Sequence, residues 1–280
     1  MPSRVVRVLT FNVWNNQGDA RRTEMINREI IRLQPDLISL QEVIRTHEDN
    51  QLGRLLAGLD FSVTHQTDLQ RYTPPFLEKY GGAAIASRWP HKCLEVIDGR
   101  TSGVNDVPWA TLAASVAIPD LGDLLFIGTT SAWRLNAEIA RERQALGVTD
   151  LDARHRTTLP SVIAGDFNSS PDAASIRYLT GLQSLEGRSA HYHDAWATAG
   201  EGEGLTWTTL NPNAADVIEQ IVGQLRHGRR IDYIFLGGWD AHPRAKAKVV
   251  DIKLAFDKPI DGLWLSDHFG VLADIEISAA

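Results

Sequence analysis

Residues 162–170 read VIAGDFNSS. Val162, Ile163 and Ala164 make a short apolar run of the kind that fills a buried strand. Gly165 breaks it, and Asp166, Phe167, Asn168, two serines and Pro171 follow. Asp, Asn, Ser and Pro all favour turns, so the polar end has an ordinary reading as a turn. It also has a chemical one, because loops at the ends of core strands are where reactive side chains are held. What decides between them is how the other strands end.

Strand-like runs lie at 5–11, 37–40, 60–64, 82–87, 92–97, 110–118, 124–130, 161–165, 231–236, 248–255 and 269–277. Two amphipathic segments separate some of them. In 20–34, Met25, Ile26, Ile30, Ile31 and Leu33 recur at helical spacing before Pro35; in 135–147, Gly147 marks a stop. Segment 199–228, rich in Gly, Asn and Glu, reads as a surface loop. No internal repeat or low-complexity linker interrupts the pattern. The expectation is one α/β domain over 1–280, with two β-sheets and helices crossing between strands.

The ends of these strands share a character. Asn12 follows the first and Glu42 the second; Asp166 and Asn168 follow a middle one. Asp232 opens another, and Asp267 with His268 precedes the last. Each alone could be a bulge, a cap or a turn. Together they are harder to set aside, because acids are rarely drawn this close to buried strands unless paired or holding a cation. The donors are oxygens, which suits Mg²⁺ or Mn²⁺ rather than zinc. His268 titrates near neutral pH, and Asp232 could fix its tautomer. A divalent ion, an acid–base pair and two amides are what hydrolysis of a phosphate ester needs. The chain has no GxxxxGK[ST], GxSxG or HExxH, so P-loop, serine-hydrolase and zinc-protease readings fall away.

Composition narrows the partners. Of 280 residues 43% are hydrophobic, enough for a substantial core, and the net charge is -7. That charge disfavours loose binding to nucleic acid, which rests on many Lys and Arg contacts, and leaves a small phosphorylated substrate as the expected partner. The single cysteine, Cys93, can form no internal disulfide. No apolar window is long enough to span a membrane and no basic amphipathic helix suggests a membrane surface, so a soluble, cytoplasmic protein is expected. Oligomeric state is not set by the sequence.

The ordered set TFNVW, LQEV, GGAAIASRWP, GDFN, RIDYIF and SDHFGV resembles the endonuclease/exonuclease/phosphatase superfamily over essentially the whole chain. That group includes abasic-site endonucleases, DNase I-like nucleases, neutral sphingomyelinases, inositol polyphosphate phosphatases, deadenylases and tyrosyl-DNA phosphodiesterases. The resemblance implies a four-layer α/β/β/α sandwich with its site at one rim. By position, Glu42 would be the main metal ligand, helped by Asn12 and Asp267. Asp166 would orient or deprotonate the attacking water, and Asn168 would hold the phosphate. His268, oriented by Asp232, would stabilise the transition state.

Two departures stand out. Abasic-site nucleases of the group carry an acid where this chain has Trp14, which weighs against a repair nuclease. Many members also carry a Thr-His-Leu stretch whose histidine touches the scissile phosphate. Here the stretch reads GTTSAWRLNAEIARERQA (residues 128–145), without histidine. Counting back from Trp133 puts Thr130 in its place, and matching the threonine pair puts Ser131 there; Arg141 and Arg143-Gln144 of the same signature remain. A hydroxyl can donate to a phosphoryl oxygen but cannot carry positive charge. Three functions follow: a phosphodiesterase or phosphatase on a small or single-ended substrate, a nuclease on DNA or RNA, or a binding protein on a retired catalytic scaffold.

Weaker patterns complete the reading. His191 and His193 beside Asp194 suggest metal binding, but no third ligand is evident, and Asp194 fits a strand-end turn. The eight tryptophans are core by default, with Trp14 and Trp133 flanking site positions and able to wall a pocket. Arg226, His227, Arg229 and Arg230 are either a solvated basic turn or a lip that steers anions.

Overall fold

The computed structural model describes residues 2–69, 80–104, 109–224 and 226–279. Its strands are β1 (Ser3–Asn12), β2 (Leu37–Val43), β3 (Ser62–His65), β4 (Gly82–Ser87), β5 (His91–Asp98), β6 (Ala110–Ile118) and β7 (Gly122–Thr130). The chain continues through β8 (Val162–Asp166), β9 (Tyr192–Asp194), β10 (Trp207–Thr208), β11 (Gly228–Arg229), β12 (Asp232–Gly237), β13 (Lys246–Ala255) and β14 (Gly270–Ser278). The α-helices are α1 (Arg22–Leu33), α2 (Gln51–Leu55), α3 (Glu138–His155), α4 (Ala174–Leu179), α5 (Ala195–Ala199) and α6 (Pro212–Val222).

Two six-stranded mixed sheets result, ordered β13-β14-β1-β2-β4-β3 and β5-β6-β7-β8-β12-β9. Each has one parallel pair near its centre, β1 with β2 and β7 with β8, and antiparallel neighbours elsewhere. A helix makes each parallel crossover, α1 in the first sheet and α3 in the second, as parallel strands require. Most apolar residues sort into three layers, with a small fourth cluster of Trp207, Ala214, Ile218 and Ile231 at α6: Val8, Ile85, Phe126 and Ile275 lie between the sheets. Leu9, Ile26, Ile30 and Ile38 lie between the first sheet and its helices, and Ile127, Leu151, Ile163 and Tyr178 do the same for the second. This is the four-layer sandwich expected.

The sheets come closest where their parallel pairs face each other. Ser39 Oγ donates to the Ala164 carbonyl at 3.0 Å across the interface. A Cβ added at Gly128 would stand 2.6 Å from Ile85 Cγ2 and 3.0 Å from Ser39 Oγ. That close approach sets the C-terminal ends of β1 and β2 against the C-terminal end of β8.

Two readings of the sequence need correction. α3 does not stop at Gly147 but runs from Glu138 to His155, because the ~1 kcal/mol that an interior glycine costs is outweighed by burial of Leu146, Val148 and Leu151 against the second sheet. Segment 199–228 is not simply a loop: it holds β10, α6 and β11 (Leu225 lies outside the described residues). α6 has a capping Asn211 whose side chain accepts from Asn213 N, a proline in its first turn, and a left-handed Gly223 at its end. The boundaries of the remaining elements move by a few residues at most. Among the described residues no helix is long and apolar enough to cross a membrane.

Gly165 is where β8 must pass close to β7. A Cβ there would sit 2.0 Å from the Thr129 carbonyl oxygen. Gly165→Ala is expected to push the strands apart and lower stability by about 1–3 kcal/mol, read by urea unfolding. A midpoint unchanged from wild type would show that β8 has slack that the packing denies.

Candidate active site

The polar strand ends converge at one rim. Asn12 is the last residue of β1, and its Nδ2 donates to Glu42 Oε1 and to Asp166 Oδ2, each at 3.2 Å. One buried amide thus joins the two sheets. Asn15 Nδ2 donates to the other Glu42 oxygen at 2.9 Å. Glu42 lies in an irregular stretch between Leu40 and Val43 and takes a left-handed φ of 59°. A side-chain-bearing residue rarely pays that strain without a reason, and here it aims a carboxylate into the rim. Gly81 makes the turn possible: any Cβ there would stand 2.4 Å from the Glu42 carbonyl carbon.

Asp166 is oriented from three directions. Asn168 N donates to Oδ1 at 2.9 Å, and Asn168 Nδ2 joins Asn12 at Oδ2 at 3.1 Å. Asn168 also has a left-handed φ of 50° and donates to the Ser131 carbonyl. His268 enters from the loop before β14. Its Nδ1 lies 3.0 Å from Asp232 Oδ2, and its Nε2 lies 4.0 Å from Asp166 Oδ2. Ser266 ties this loop to the first sheet: its Oγ donates to the Asn12 carbonyl at 2.7 Å and accepts from His268 N.

The electrostatics follow from burial. Loss of water, followed by the Asp267 charge, pushes the Glu42 carboxyl up to about 8. Burial and then Asp232 push Asp166 up to about 7, and burial raises Asp267 as well. For His268, burial opposes charge, but Asp232, Asp166 and Asp267 outweigh it and hold the imidazole well above its usual range. Arg22 stands behind the site, donating to the Val13 and Leu265 carbonyls, and burial lowers it to about 10. Four carboxylates, Asp166 and Asp232 buried and Glu42 and Asp267 half-buried, thus face one imidazolium and one guanidinium. A hard divalent cation fits that excess of negative charge and those oxygen donors.

Two groupings could hold it. Glu42, Asn12 and Asp267 form one. The other is Asp166, Asp232 and His268, whose ligand atoms lie within 4.8 Å of one another. The second is already bound together by the imidazolium, and a protonated ring nitrogen cannot ligate a metal.

A cleft of about 390 Å³ opens above this floor. Its walls are aromatic and apolar: Trp14, Trp133, Leu135, Val217 and Ile221 line it, with Arg134 and Arg229 at its edge. Trp14 lies against the Arg22 guanidinium, 4.9 Å from ring centroid to carbon, and Trp133 against Arg134 at 5.1 Å. The loop bearing Trp133 is clamped from α3, where Arg141 donates to the Ala132 and Arg134 carbonyls and Gln144 accepts from Ala132 N.

Not every residue named from sequence reaches the cleft. Thr130 stands in register with Asp166, buried, with its Oγ1 lacking any partner among the described residues. Neither Thr130 nor Ser131 lines the cleft; both border a cavity of about 10 Å³ behind Trp133. Of the six tryptophans expected in the core, Trp109, Trp196 and Trp207 are buried, Trp89 and Trp264 are half-buried and Trp239 is 71% exposed, while Trp14 and Trp133 line the cleft as expected. His191 and His193 stack edge to face 5.0 Å apart with no third ligand among the described residues, and Asp194 caps α5 instead. Sequence reasoning missed Asn15, Arg22 and Gly81. The Asn-x-Trp-Asn spacing after β1 carried a signal for Asn15, and the Gly81-Gly82 pair one for the backbone beneath Glu42.

The endonuclease/exonuclease/phosphatase family model matches residues 9–268. The chain belongs to this family. Members are usually phosphoester hydrolases and generally depend on divalent metal. A family protein from Bacteroides vulgatus superposes with TM-score 0.71 at 20% identity, covering 98% of this chain and 100% of that one. D. rerio TDP2, complexed with a single-strand DNA product, superposes with TM-score 0.70 at 20% identity, covering 97% and 98%. C. elegans TDP2 gives 0.67 at 18%, covering 97% and 75%. At these identities the likeness is one of fold. No curated protein matches the sequence.

Glu42 and Asp166 hold their protons more tightly in the folded protein than in the unfolded chain. Protonation therefore favours folding, and that advantage is lost as pH rises from about 4 toward 8. After dialysis against a chelator, Tm is expected to fall over this range, and Mg²⁺ should raise it more at pH 8 than at pH 5. Glu42→Gln should flatten both trends. An equal Mg²⁺ shift at both pH values, unchanged in Glu42→Gln, would remove Glu42 from the metal site.

Proposed function

We propose that this protein is a Mg²⁺- or Mn²⁺-dependent phosphoester hydrolase, a phosphodiesterase or phosphatase acting on a small or single-ended substrate. The observation that carries this reading is the Asn12 amide, which holds Glu42 and Asp166 side by side from opposite sheets, next to the Asp232–His268 pair. In this reading Glu42, with Asn12 and Asp267, holds the ion, which when bound would neutralise phosphoryl charge and help ionise water. Asp166, poised near neutrality, takes the proton of the attacking water as its oxygen adds to phosphorus and the ester P–O bond opens. Asn168 holds a phosphoryl oxygen. His268, kept charged and oriented by Asp232, stabilises the charge that builds up in the transition state.

The walls support a substrate that is not a long polyanion. Trp133, Leu135, Val217 and Ile221 line the cleft yet are 37%, 45%, 41% and 36% exposed. Apolar surface left open around a charged floor suits an apolar or aromatic group next to the phosphate. The net charge of -7 leans the same way. A nuclease reading is the second one, favoured by the shared fold of D. rerio TDP2, whose structure holds a single-strand DNA product. The third, a binding protein on a retired scaffold, draws on Thr130 and Ser131 in the place of the strand-end histidine. A cytoplasmic location is part of the proposal.

A panel of bis-nitrophenyl phosphate, mononucleotides, inositol phosphates, sphingomyelin and single-stranded DNA, each with Mg²⁺ or Mn²⁺, tests these readings. Turnover of a small ester is expected, abolished by chelation and lowered about 100-fold or more in Glu42→Ala, Asp166→Asn and His268→Ala. Trp133→Ala should raise KM for apolar esters with less effect on kcat. Preference for single-stranded DNA would establish the nuclease reading. Silence across the panel would leave the binding protein.

A further inference from the structure

The basic cluster before β12 splits into three fates. Arg230 is buried, and its Nη1 donates to both Asp194 oxygens at 3.0 and 2.7 Å beneath the Tyr233 ring, so its charge is already matched. Arg226 is exposed. Arg229 alone reaches the cleft. It belongs to β11, which pairs Trp207 with Arg229 and so fixes the backbone beside the cleft wall. Its Nε donates to Ser170 Oγ and its Nη2 to the Asn168 carbonyl, both at 3.0 Å. The guanidinium therefore lies along the loop that carries Asp166 and Asn168. Among the described residues its Nη1 has no hydrogen-bond partner, and no carboxylate lies within ion-pair distance.

That is an unusual state for a half-buried guanidinium with a planar fork of donors. Its two engaged groups fix the plane and leave the third edge to meet an anion bidentately. The strand-end hydroxyls of Thr130 and Ser131 carry no charge and border the small cavity beside Trp133 rather than the cleft, and Arg134 at the cleft edge lies against the Trp133 ring.

Building on the hydrolase reading, we propose that Arg229 contacts the phosphoryl group through its Nη1 edge and supplies the positive charge that the strand-end hydroxyls cannot. The charge comes from the β11 ribbon rather than from the end of β7, so it approaches the phosphate beside Asn168. Arginine stays protonated at every working pH, so this contact adds no limb to the pH–rate profile. Arg229→Lys keeps the charge but loses the fork.

The test uses the full chain with Mn²⁺ and inorganic phosphate as probe, followed by calorimetry, alongside turnover of whichever ester the wild type hydrolyses. Arg229→Met should weaken phosphate binding about tenfold or more and cut kcat/KM about 100-fold, chiefly in kcat, with Tm and Mn²⁺ affinity unchanged. Arg229→Lys should recover part of the loss, and added guanidinium ion should rescue Arg229→Met. Ser170→Ala, which frees the loop but keeps the guanidinium, should stay within about threefold of wild type. Phosphate binding and turnover by Arg229→Met within twofold of wild type would overturn the proposal. So would an equal loss in Ser170→Ala with no rescue, since Arg229 would then only hold the loop. If the wild type hydrolyses nothing but binds phosphate through Arg229, the hydrolase reading fails and the anion contact stands. If it neither hydrolyses nor binds phosphate, both fail.

Discussion

One side-chain amide holds the site together. Asn12 Nδ2 lies between Glu42 Oε1 on the first sheet and Asp166 Oδ2 on the second, buried from water. Two carboxylates cannot be brought this close in a dry interior without a donor or a cation between them. The amide supplies the donor. Around it the structure is built for close approach: Gly128 lets the sheets meet, Ser39 hydrogen-bonds across them, and Ser266 fastens the His268 loop to the Asn12 backbone. Remove the close approach and the ends of β1, β2 and β8 no longer share one rim.

The acids cost stability, and the fold tolerates them because strong packing lies just below. Between the sheets an aliphatic and aromatic cluster is joined by a small buried network of Thr10, Gln41 and Ser39, all of it uncharged. Proteins commonly accept such local destabilisation where chemistry needs it. Left-handed backbone at Glu42 and Asn168 is part of the same trade, since both residues aim polar groups where a regular strand would not.

Floor and walls of the cleft differ in kind. The floor is a set of carboxylates and amides fixed by hydrogen bonds of 3.2 and 2.9 Å at the strand ends. The walls come from connecting segments: the clamped loop after β7, α6, and the β10–β11 ribbon. Connecting segments vary freely without disturbing the sheets, so in the proposed function the floor sets the reaction class and the walls the choice of substrate.

The alternation of apolar runs and polar ends was legible in the chain from Asn12 to His268, because a strand that leaves a core must change character within one or two residues. That pattern pointed to two sheets and to polar strand ends at Asn12, Glu42, Asp166, Asn168, Asp232, Asp267 and His268, and the family resemblance added the four layers. Local signals were weaker guides where two of them competed. Gly147 looked like a stop because its neighbours' burial is invisible in one dimension, and the Asn211-Pro212 cap of α6 was hidden in a Gly-rich stretch. The three arginines near 230 have the same local chemistry. Only tertiary packing buries Arg230 on Asp194, leaves Arg226 in solvent and lays Arg229 along the Asp166–Asn168 loop. Sequence therefore determined which polar residues stand at the strand ends, since their types are set by local burial. The tertiary structure decided which of them meet, since distances across two sheets depend on packing that no short stretch of chain encodes.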